Sequence, residues 1–266
     1  MIKRVIKLFQ IARKISTSGA IETINEIHKL PSSINFFFNV ISLGSGANVV
    51  VQKKAAGEKL CLALEQMGTT FIKLGQFLAT RPDIIGEELS KNLEKLQDKV
   101  PAFNLYDAKK IVKKEIGEAH FKNIVEFSEP IAAASIAQVH IAKIKLDNYE
   151  KQVAIKILRP DIEKLFNEEL DALMLFAYIV ENTFSKARRL KLVEVVYLLR
   201  EITNIEMDLR FEAAAANELY ENTKNDLKFN VPKIYWNYTT KKVLTLDKVD
   251  GVSIREQGKL KELGVD

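Results

Sequence analysis

Three groups of side chains in this chain of 266 residues have the types and spacing that chemistry on phosphates requires. The first is Lys156, in the word Val153-Ala154-Ile155-Lys156, preceded by the small-residue stretch Ala132-Ala133-Ala134-Ser135. Small side chains let a backbone approach phosphates closely, and an ammonium carried on a strand can then reach them. The second group is Lys73 and Gln76, in Lys73-Leu74-Gly75-Gln76. Their i, i+3 spacing puts both on one face of a helix. The third is an acidic cluster, Glu206, Asp208 and Glu212, within Glu206-Met207-Asp208-Leu209-Arg210-Phe211-Glu212. Each group also has a plain structural reading. Alanine runs pack into helices and strands, a lysine on a strand's outer face is solvated, and acidic residues on a helix face water. Residue types alone leave both readings open.

The elements that must carry these groups are legible from periodicity. Ile136 to Ile144 alternates bulky with small or polar residues, the period of a half-buried strand. Asp147-Asn148 supplies turn chemistry, because short Asx side chains bond their own backbone. A second strand, Gln152 to Leu158, places Val153, Ile155 and Ile157 on one face and Ala154, Lys156 and Leu158 on the other. Ile124 to Phe127, Tyr235 to Tyr238 and Val243 to Val249 add three more strands, the last two joined by Thr239-Thr240-Lys241-Lys242. Alanine resists positive φ, so the small-residue loop should be stiffer than a glycine loop.

Around these strands the pattern is helical. Ala55 to Arg81 is interrupted at Gly68 and Gly75, and Pro82-Asp83 ends it. Glu87 to Lys99 carries a stripe of Leu89, Leu93 and Leu96 and stops at Pro101. Tyr106 to Ile116 is bounded by Gly117, and Asp161 is placed to cap a long helix running to about Asn182. A basic break at Lys186-Ala187-Arg188-Arg189 precedes one helical stretch, Leu190 to Leu219, that holds the acidic cluster. A last helix spans Ile254 to Leu263.

Composition narrows the function classes. The one cysteine, Cys61, excludes an intramolecular disulfide, and His28, His120 and His140 lack zinc-ligand spacing. His140 fits a partnered residue within the sheet. The net charge of +5 would have to gather into a patch to bind nucleic acid, whereas Lys and Glu intermix along the helices, so no nucleic-acid partner is expected. No apolar run approaches the roughly 18 residues that a membrane span needs. Residues 2–15 space Ile2, Val5, Ile6 and Phe9 helically among Lys3, Arg4, Lys7, Arg13 and Lys14, with no acidic residue before Glu22. Three readings fit: a helix on an anionic membrane surface, a transit-like leader, or a start helix packed on the domain. Breaks at Pro31-Ser32-Ser33 and Gly44-Ser45-Gly46 flank Phe36-Phe37-Phe38, which suits either core or membrane contact.

Taken together, Lys73-Leu74-Gly75-Gln76, the alanine-rich stretch, Lys156 and Glu206-Met207-Asp208 resemble the UbiB family of atypical kinases, relatives of the mitochondrial ADCK proteins. The family's four words occur here in the family's order, and the resemblance runs from about Ala55 to the C-terminus. It implies an α+β fold. A helical N-terminal extension would precede a protein-kinase-like small lobe with a five-stranded antiparallel sheet and long helices, truncated before the large lobe. The corresponding divisions are an amphipathic region 1–50, a helical extension 51–118, a small lobe 119–250, and the start of a large lobe 251–266.

The resemblance also implies roles. ATP would be held by Ile131, Ala132, Ala133, Ala134, Ser135, Ile136, Ala137, Gln138, Val139 and Lys156. Asp247 and Val249 would lie in the hinge segment whose backbone bonds adenine. Glu212 would pair with Lys156, since an unpaired ammonium in a closed pocket is costly. Glu206 would pair with Lys73, with Gln76 and Asp208 completing the polar set around the pocket. No histidine follows His140 and no Asp-Phe-Gly occurs, so no catalytic or metal-binding residue is assigned in this chain. The Mg2+ ligands are expected on a missing C-terminal half, supplied in one reading as a separate chain, without which the chain would be inactive. The implied activity is ATP hydrolysis or phosphoryl transfer supporting ubiquinone (coenzyme Q) biosynthesis. Quinone-biosynthesis enzymes would be partners, and the location cytoplasmic, peripherally associated with the inner membrane through residues 2–15. The alternative is a non-catalytic, membrane-associated scaffold or lipid-binding accessory of the quinone ring-hydroxylation steps.

Overall fold

Period-two alternation between Ile124 and Leu158 folds into three consecutive strands, seen in a computed structural model that describes residues 6–7, 9–13, 56–96, 100–147, 149–254 and 256–264. These are β1 (Ile124–Ala133), β2 (Ala137–Lys145) and β3 (Glu150–Leu158), joined by β4 (Val243–Asp247) in an antiparallel sheet of order β1-β2-β3-β4. Nine helices accompany the sheet from Ala56 onward among the described residues. Asn148, Phe36-Phe37-Phe38 and the breaks near Pro31 and Gly44 lie outside the described residues. The chain divides into two units. One comprises Met1–Ala102, Ala133–Ala137 and Leu158–Met207, the other Phe103–Ala132, Gln138–Ile157 and Asp208–Asp266.

The second unit is built on the sheet. Val153, Ile155 and Ile157 of β3, Ala142 and Ile144 of β2 and Val243 of β4 are buried together with Ala108, Val112 and Ile116 of α5 (Leu105–Phe121). Those three helix residues recur every four positions, which makes a stripe that covers the sheet. Asn104 caps α5 by accepting from the Asp107 amide at 2.8 Å. Gly117, where the helix was expected to end, has φ 82 and kinks it, but helical backbone resumes and continues to Phe121. On β3 the core residues alternate with Ala154 and Lys156, so the pleat turns the lysine to the opposite face.

The sheet has four strands, not the expected five. Tyr235 to Tyr238 does not extend along β4. Ile234 alone bridges Leu246, and Trp236–Tyr238 curls into a 3-10 turn. Local side-chain bonds compete with the ladder here. Thr239 Oγ1 donates to Tyr235 O at 3.0 Å, and Thr245 Oγ1 donates to Tyr238 O at 2.8 Å. The turn carries the Tyr238 ring into the core, edge-on to His120 with centroids 5.4 Å apart. A straight strand would have forgone that burial.

The first unit is helical. It contains α1 (Ala56–Met67), α2 (Thr69–Ala79), α3 (Pro82–Ile85), α4 (Glu87–Leu93), α6 (Ile162–Thr183) and α7 (Leu192–Glu206). Gly68, at φ 105, separates α1 from α2 as expected. Gly75 does not interrupt anything. It lies buried inside α2, where a Cβ would press on the δ-methyl groups of Leu96 and Leu64. α4 stops at Leu93 instead of Lys99, followed by a turn that buries Leu96. Asp161 stands at the start of α6 but does not cap it with its side chain: its backbone is left-handed, φ 55, not the extended form from which a carboxylate reaches the first amides. The expected single helix from Leu190 to Leu219 is two, α7 and α8 (Leu209–Thr223), broken at Met207-Asp208. The last helix, α9, is shorter than expected, Gln257–Glu262.

At the N-terminus, residues 6–7 and 9–13 are helical. Ile11 and Ala12 are buried and Lys7 Nζ lies 3.4 Å from Glu169 Oε1 of α6, while Ile6 and Phe9 are exposed. This segment therefore packs on its own unit through one face and leaves apolar side chains on another. No described helix is long and apolar enough to cross a membrane.

The sheet also buries a polar pair. The Gln138 amide accepts from Phe103 N at 2.9 Å and donates to Phe103 O at 3.1 Å. His140, fully buried, contacts Gln138 Nε2 through its Nε2 at 2.9 Å and Ser128 O through its Nδ1 at 2.8 Å. Satisfying both contacts requires Nδ1 to carry the proton and Nε2 to accept, which is the neutral ring. Burial accordingly pushes the His140 pKa below the ordinary 6.5. As pH falls below that value the unfolded chain takes up a proton that the folded one refuses. Stability should then drop by up to about 1.4 kcal/mol per pH unit from this group. Urea midpoints at pH 7.5 and 5.5 should diverge more for the native chain than for His140→Gln; equal divergence refutes the assignment.

Candidate functional site

Lys156 is held by a carboxylate. Its Nζ donates to Glu212 Oε2 at 2.6 Å, joining β3 to the first turn of α8 across 56 residues of chain. Two features put Glu212 there. The register of β3 with β4 sets Lys156 opposite Leu244, and the Leu209 amide donates to Lys241 O at 3.0 Å, tethering the start of α8 near β4. Leu209 and Ala213, four apart, turn inward and leave Glu212 beside them. The pair is not in a closed pocket, as was expected: the side chains are 27% and 50% exposed. At that exposure an ion pair adds little to stability. Its significance is that it fixes the ammonium's position.

Lys73 and Glu206 form a second pair within the helical unit, Nζ to Oε2 3.0 Å, in ionic contact though without an aligned hydrogen bond at that oxygen. Gln76 lies half-buried on the same helix as Lys73. Asp208 pairs with neither lysine. It has extended backbone and caps α8, accepting from Arg210 N at 3.1 Å while also holding the Arg210 guanidinium at 2.9 and 2.6 Å. Arg210's hydrogen bonds keep the Asp208 carboxyl below the usual carboxylate range. The three acidic residues thus divide among three tasks: a partner for Lys73, a helix cap, and a partner for Lys156.

The small-residue stretch is mostly strand. Ile131 to Ala133 belong to β1 and Ala137 opens β2, leaving Ala134, Ser135 and Ile136 as a tight turn closed by Ala134 N to Ala137 O at 2.8 Å. Ser135, Ile136, Ala137 and Gln138 are buried, and the accessible part of the stretch is Ile131 to Ala134. The Gln138 amide is engaged with Phe103 and His140 and acts inside the sheet. Ser135 Oγ is fully buried and has no hydrogen-bond partner, a state that costs about 1–3 kcal/mol unless something bonds it. Val139 shares the non-core face of the sheet with Lys156. At the far end of β4, the Asp247 carboxylate accepts from Tyr235 Oη at 2.8 Å and lies 3.1 Å from Lys151 Nζ, and burial with that bond drives the Tyr235 pKa upward. Val249 is exposed beyond the strand end.

Residue types did not flag Arg159, directly after β3. Its Nε and Nη2 donate to Ala134 O at 3.1 and 2.9 Å, Nη1 donates to Pro101 O at 2.8 Å, and Nη2 also reaches Val100 O at 3.2 Å. Its own amide donates to Ile136 O at 2.9 Å. The only trace in the sequence is an arginine placed between a strand end and Pro160.

An ammonium held by a carboxylate and partly open to solvent is a donor of the kind that suits an anionic ligand. For a metal the residues do not fit: no group of three His, Cys, Asp or Glu among the described residues could hold one.

Comparison with known proteins gives the family. Residues 95–266 match the ABC1 atypical kinase-like domain. The probable protein kinase UbiB of Marinobacter nauticus is 36% identical over 265 residues, 99% of this chain and 47% of its own length. Proteins of the same name from Azotobacter vinelandii and Pseudomonas aeruginosa are 37% and 35% identical, covering 78% and 79% of the chain. The chain belongs to the ABC1 atypical kinase-like family, in its UbiB/ADCK branch. It spans about half the length, or less, of these relatives.

The cap is open to direct measurement. Asp208→Ala should lower stability at pH 7 by roughly 0.5–2 kcal/mol. Because the folded carboxyl titrates below the free one, that difference should shrink as pH falls below about 4. A variant as stable as the parent at pH 7 would remove Asp208 from the capping role.

Proposed function

We propose that this chain is the nucleotide-holding portion of a UbiB-like atypical kinase or ATPase that supports ubiquinone biosynthesis. The observation that carries the proposal is the 2.6 Å pair between Lys156 and Glu212. A strand lysine positioned by a helix glutamate is the arrangement with which protein kinases hold the α- and β-phosphates of ATP. In this reading Lys156 contacts phosphate, and the chain following β4 at Asp247 and Val249 meets the adenine edge. ATP would supply the transferable phosphoryl group. Lys73 and Glu206 keep the Lys-x-Gly-Gln helix and the end of α7 in fixed register. Phosphoryl transfer further needs metal-holding carboxylates and a group that orients the nucleophile, and we place these outside this chain.

The proposal extends to location. Exposed Ile6 and Phe9, three apart on a helix with Arg13, suit peripheral contact with an anionic membrane surface at the cytoplasmic side. The same surface is what a non-catalytic quinone-pathway scaffold would use, so nucleotide binding separates the two readings.

Titration of the chain with a fluorescent ATP analogue should give saturable binding that Lys156→Met weakens at least about tenfold, the loss of one strong charge-assisted contact. Glu212→Gln, which frees the ammonium without removing it, should weaken binding less. Equal affinity in parent and Lys156→Met defeats the nucleotide reading and leaves the scaffold. For the membrane contact, co-flotation with vesicles containing anionic lipid should fall when Ile6 and Phe9 are both replaced by Asp. Unchanged flotation would remove residues 2–15 from that role.

A further inference from the structure

The loop Thr239-Thr240-Lys241-Lys242 carries a series of hydrogen bonds that ends one helical turn from Glu212. The Leu209 amide, the first of α8, donates to Lys241 O at 3.0 Å. The Lys242 amide donates to Thr240 Oγ1 at 3.2 Å, and Thr240 Oγ1 donates to Glu115 Oε2 of α5 at 3.1 Å. Lys241 O and the Lys242 N–H belong to one peptide group. In a planar trans peptide these two point in opposite directions, and the described backbone contains no cis bond. The Thr240 hydroxyl therefore holds this peptide from its N–H side while α8 is bound on its carbonyl side. Every residue of the series lies in the second unit, as do Lys156 and Glu212.

The donors all run one way, from α8 toward the Glu115 carboxylate. Bonds arranged so polarise one another, each gaining roughly 10–30% in strength. What they seat is an amide that has no partner inside its own helix, since the first four N–H groups of a helix have none. The Asp208 side chain takes the next amide, that of Arg210, but Asp208 is part of the same turn and moves with it. The Lys241 bond instead attaches α8 to another element, the loop leading into β4. Glu212 follows three residues later, so a swing of this first turn displaces its carboxylate. A 2.6 Å hydrogen bond to Lys156 tolerates little displacement. Glu115 sits on the helix that covers the core face of the sheet, and Lys156 stands on the opposite face. The series thus links a helix on one face to the clasp on the other.

We propose that Thr240 is a positioning residue for the Lys156–Glu212 pair: its hydroxyl, anchored on Glu115, orients the Lys241-Lys242 peptide that seats α8 and so sets where Glu212 holds the ammonium. The consequence for nucleotide binding rests on the reading above.

The test uses the full chain, Thr240→Val, Thr240→Ser, Glu212→Gln, and Thr240→Val combined with Glu212→Gln. Two readouts need no nucleotide: hydrogen exchange at the Leu209 amide, and the nitrogen NMR signal of the Lys156 ammonium, assigned by its loss in Lys156→Met. The third is competition of ATP with the fluorescent analogue. Thr240→Val keeps the side chain's shape and removes the hydroxyl. It should speed Leu209 exchange, shift the ammonium signal in the direction that Glu212→Gln shifts it, and weaken ATP about threefold. Thr240→Ser should restore all three. Combined with Glu212→Gln, Thr240→Val should weaken ATP no further, because its effect passes through Glu212. Should Thr240→Val fail to fold, Glu115→Ala, which removes the anchor, carries the same comparison. An ammonium signal left unmoved by Thr240→Val overturns the proposal. So does an ATP loss as large in the Glu212→Gln background as in the parent, which is the mark of a merely structural role. No ATP binding by the parent overturns the nucleotide reading alone, and the ammonium signal then decides for or against Thr240.

Discussion

The pleat of β3 is the constraint on which the rest turns. Burying Val153, Ile155 and Ile157 forces Lys156 onto the opposite face, because successive side chains of a strand cannot share a side. A register slip of one residue would bury the ammonium and expose the core. The energy that places the lysine is thus hydrophobic, drawn from three aliphatic neighbours and from the α5 stripe that covers them. The ion pair with Glu212, half open to water, selects a direction for the side chain but contributes little to holding the sheet together.

The alanine turn obeys a similar economy. Its side chains are buried or minimal, and its Ala134 carbonyl is bonded by a guanidinium that belongs to another strand end. The same division recurs at His140, whose tautomer is set by Gln138 and Ser128 and not by anything on its own element alone. Polar residues inside this sheet orient backbone, whereas those on its outer face are available to solutes.

Much of this was legible in the sequence where a period of two or four repeats. The faces of β2 and β3, the extent of α6 and the separation of α1 from α2 at Gly68 all follow from residue pattern. What escaped was decided by single hydrogen bonds. Thr239 and Thr245 curl Tyr235–Tyr238 out of the sheet, and no propensity for aromatic strand residues reveals that competition. Asp161 carries the right residue type for a cap but the wrong backbone, while Asp208, read as one more acid on a helix, does the capping. Gly75 looks like a break and is a packing device, since its neighbours Leu64 and Leu96 lie outside any local window. Lys156 and Glu212, like Lys73 and Glu206, were joined through a family resemblance, because spacing cannot bring together residues 56 and 133 positions apart (212 less 156 and 206 less 73).

The break at Met207-Asp208 has an effect on how the two acidic partners could vary. In one uninterrupted helix, inserting or deleting a residue ahead of Glu206 would rotate everything after it by about 100°, carrying Glu206 and Glu212 off their lysines together. With the helical phase restarted by the Asp208 cap, a slip in α7 swings Glu206 alone and leaves the direction of Glu212 to be set by Leu209, Ala213 and the Lys241 carbonyl. The two lysine–glutamate clasps are thereby mechanically uncoupled along the chain, so that mutational drift in the helical unit need not disturb the clasp on the sheet.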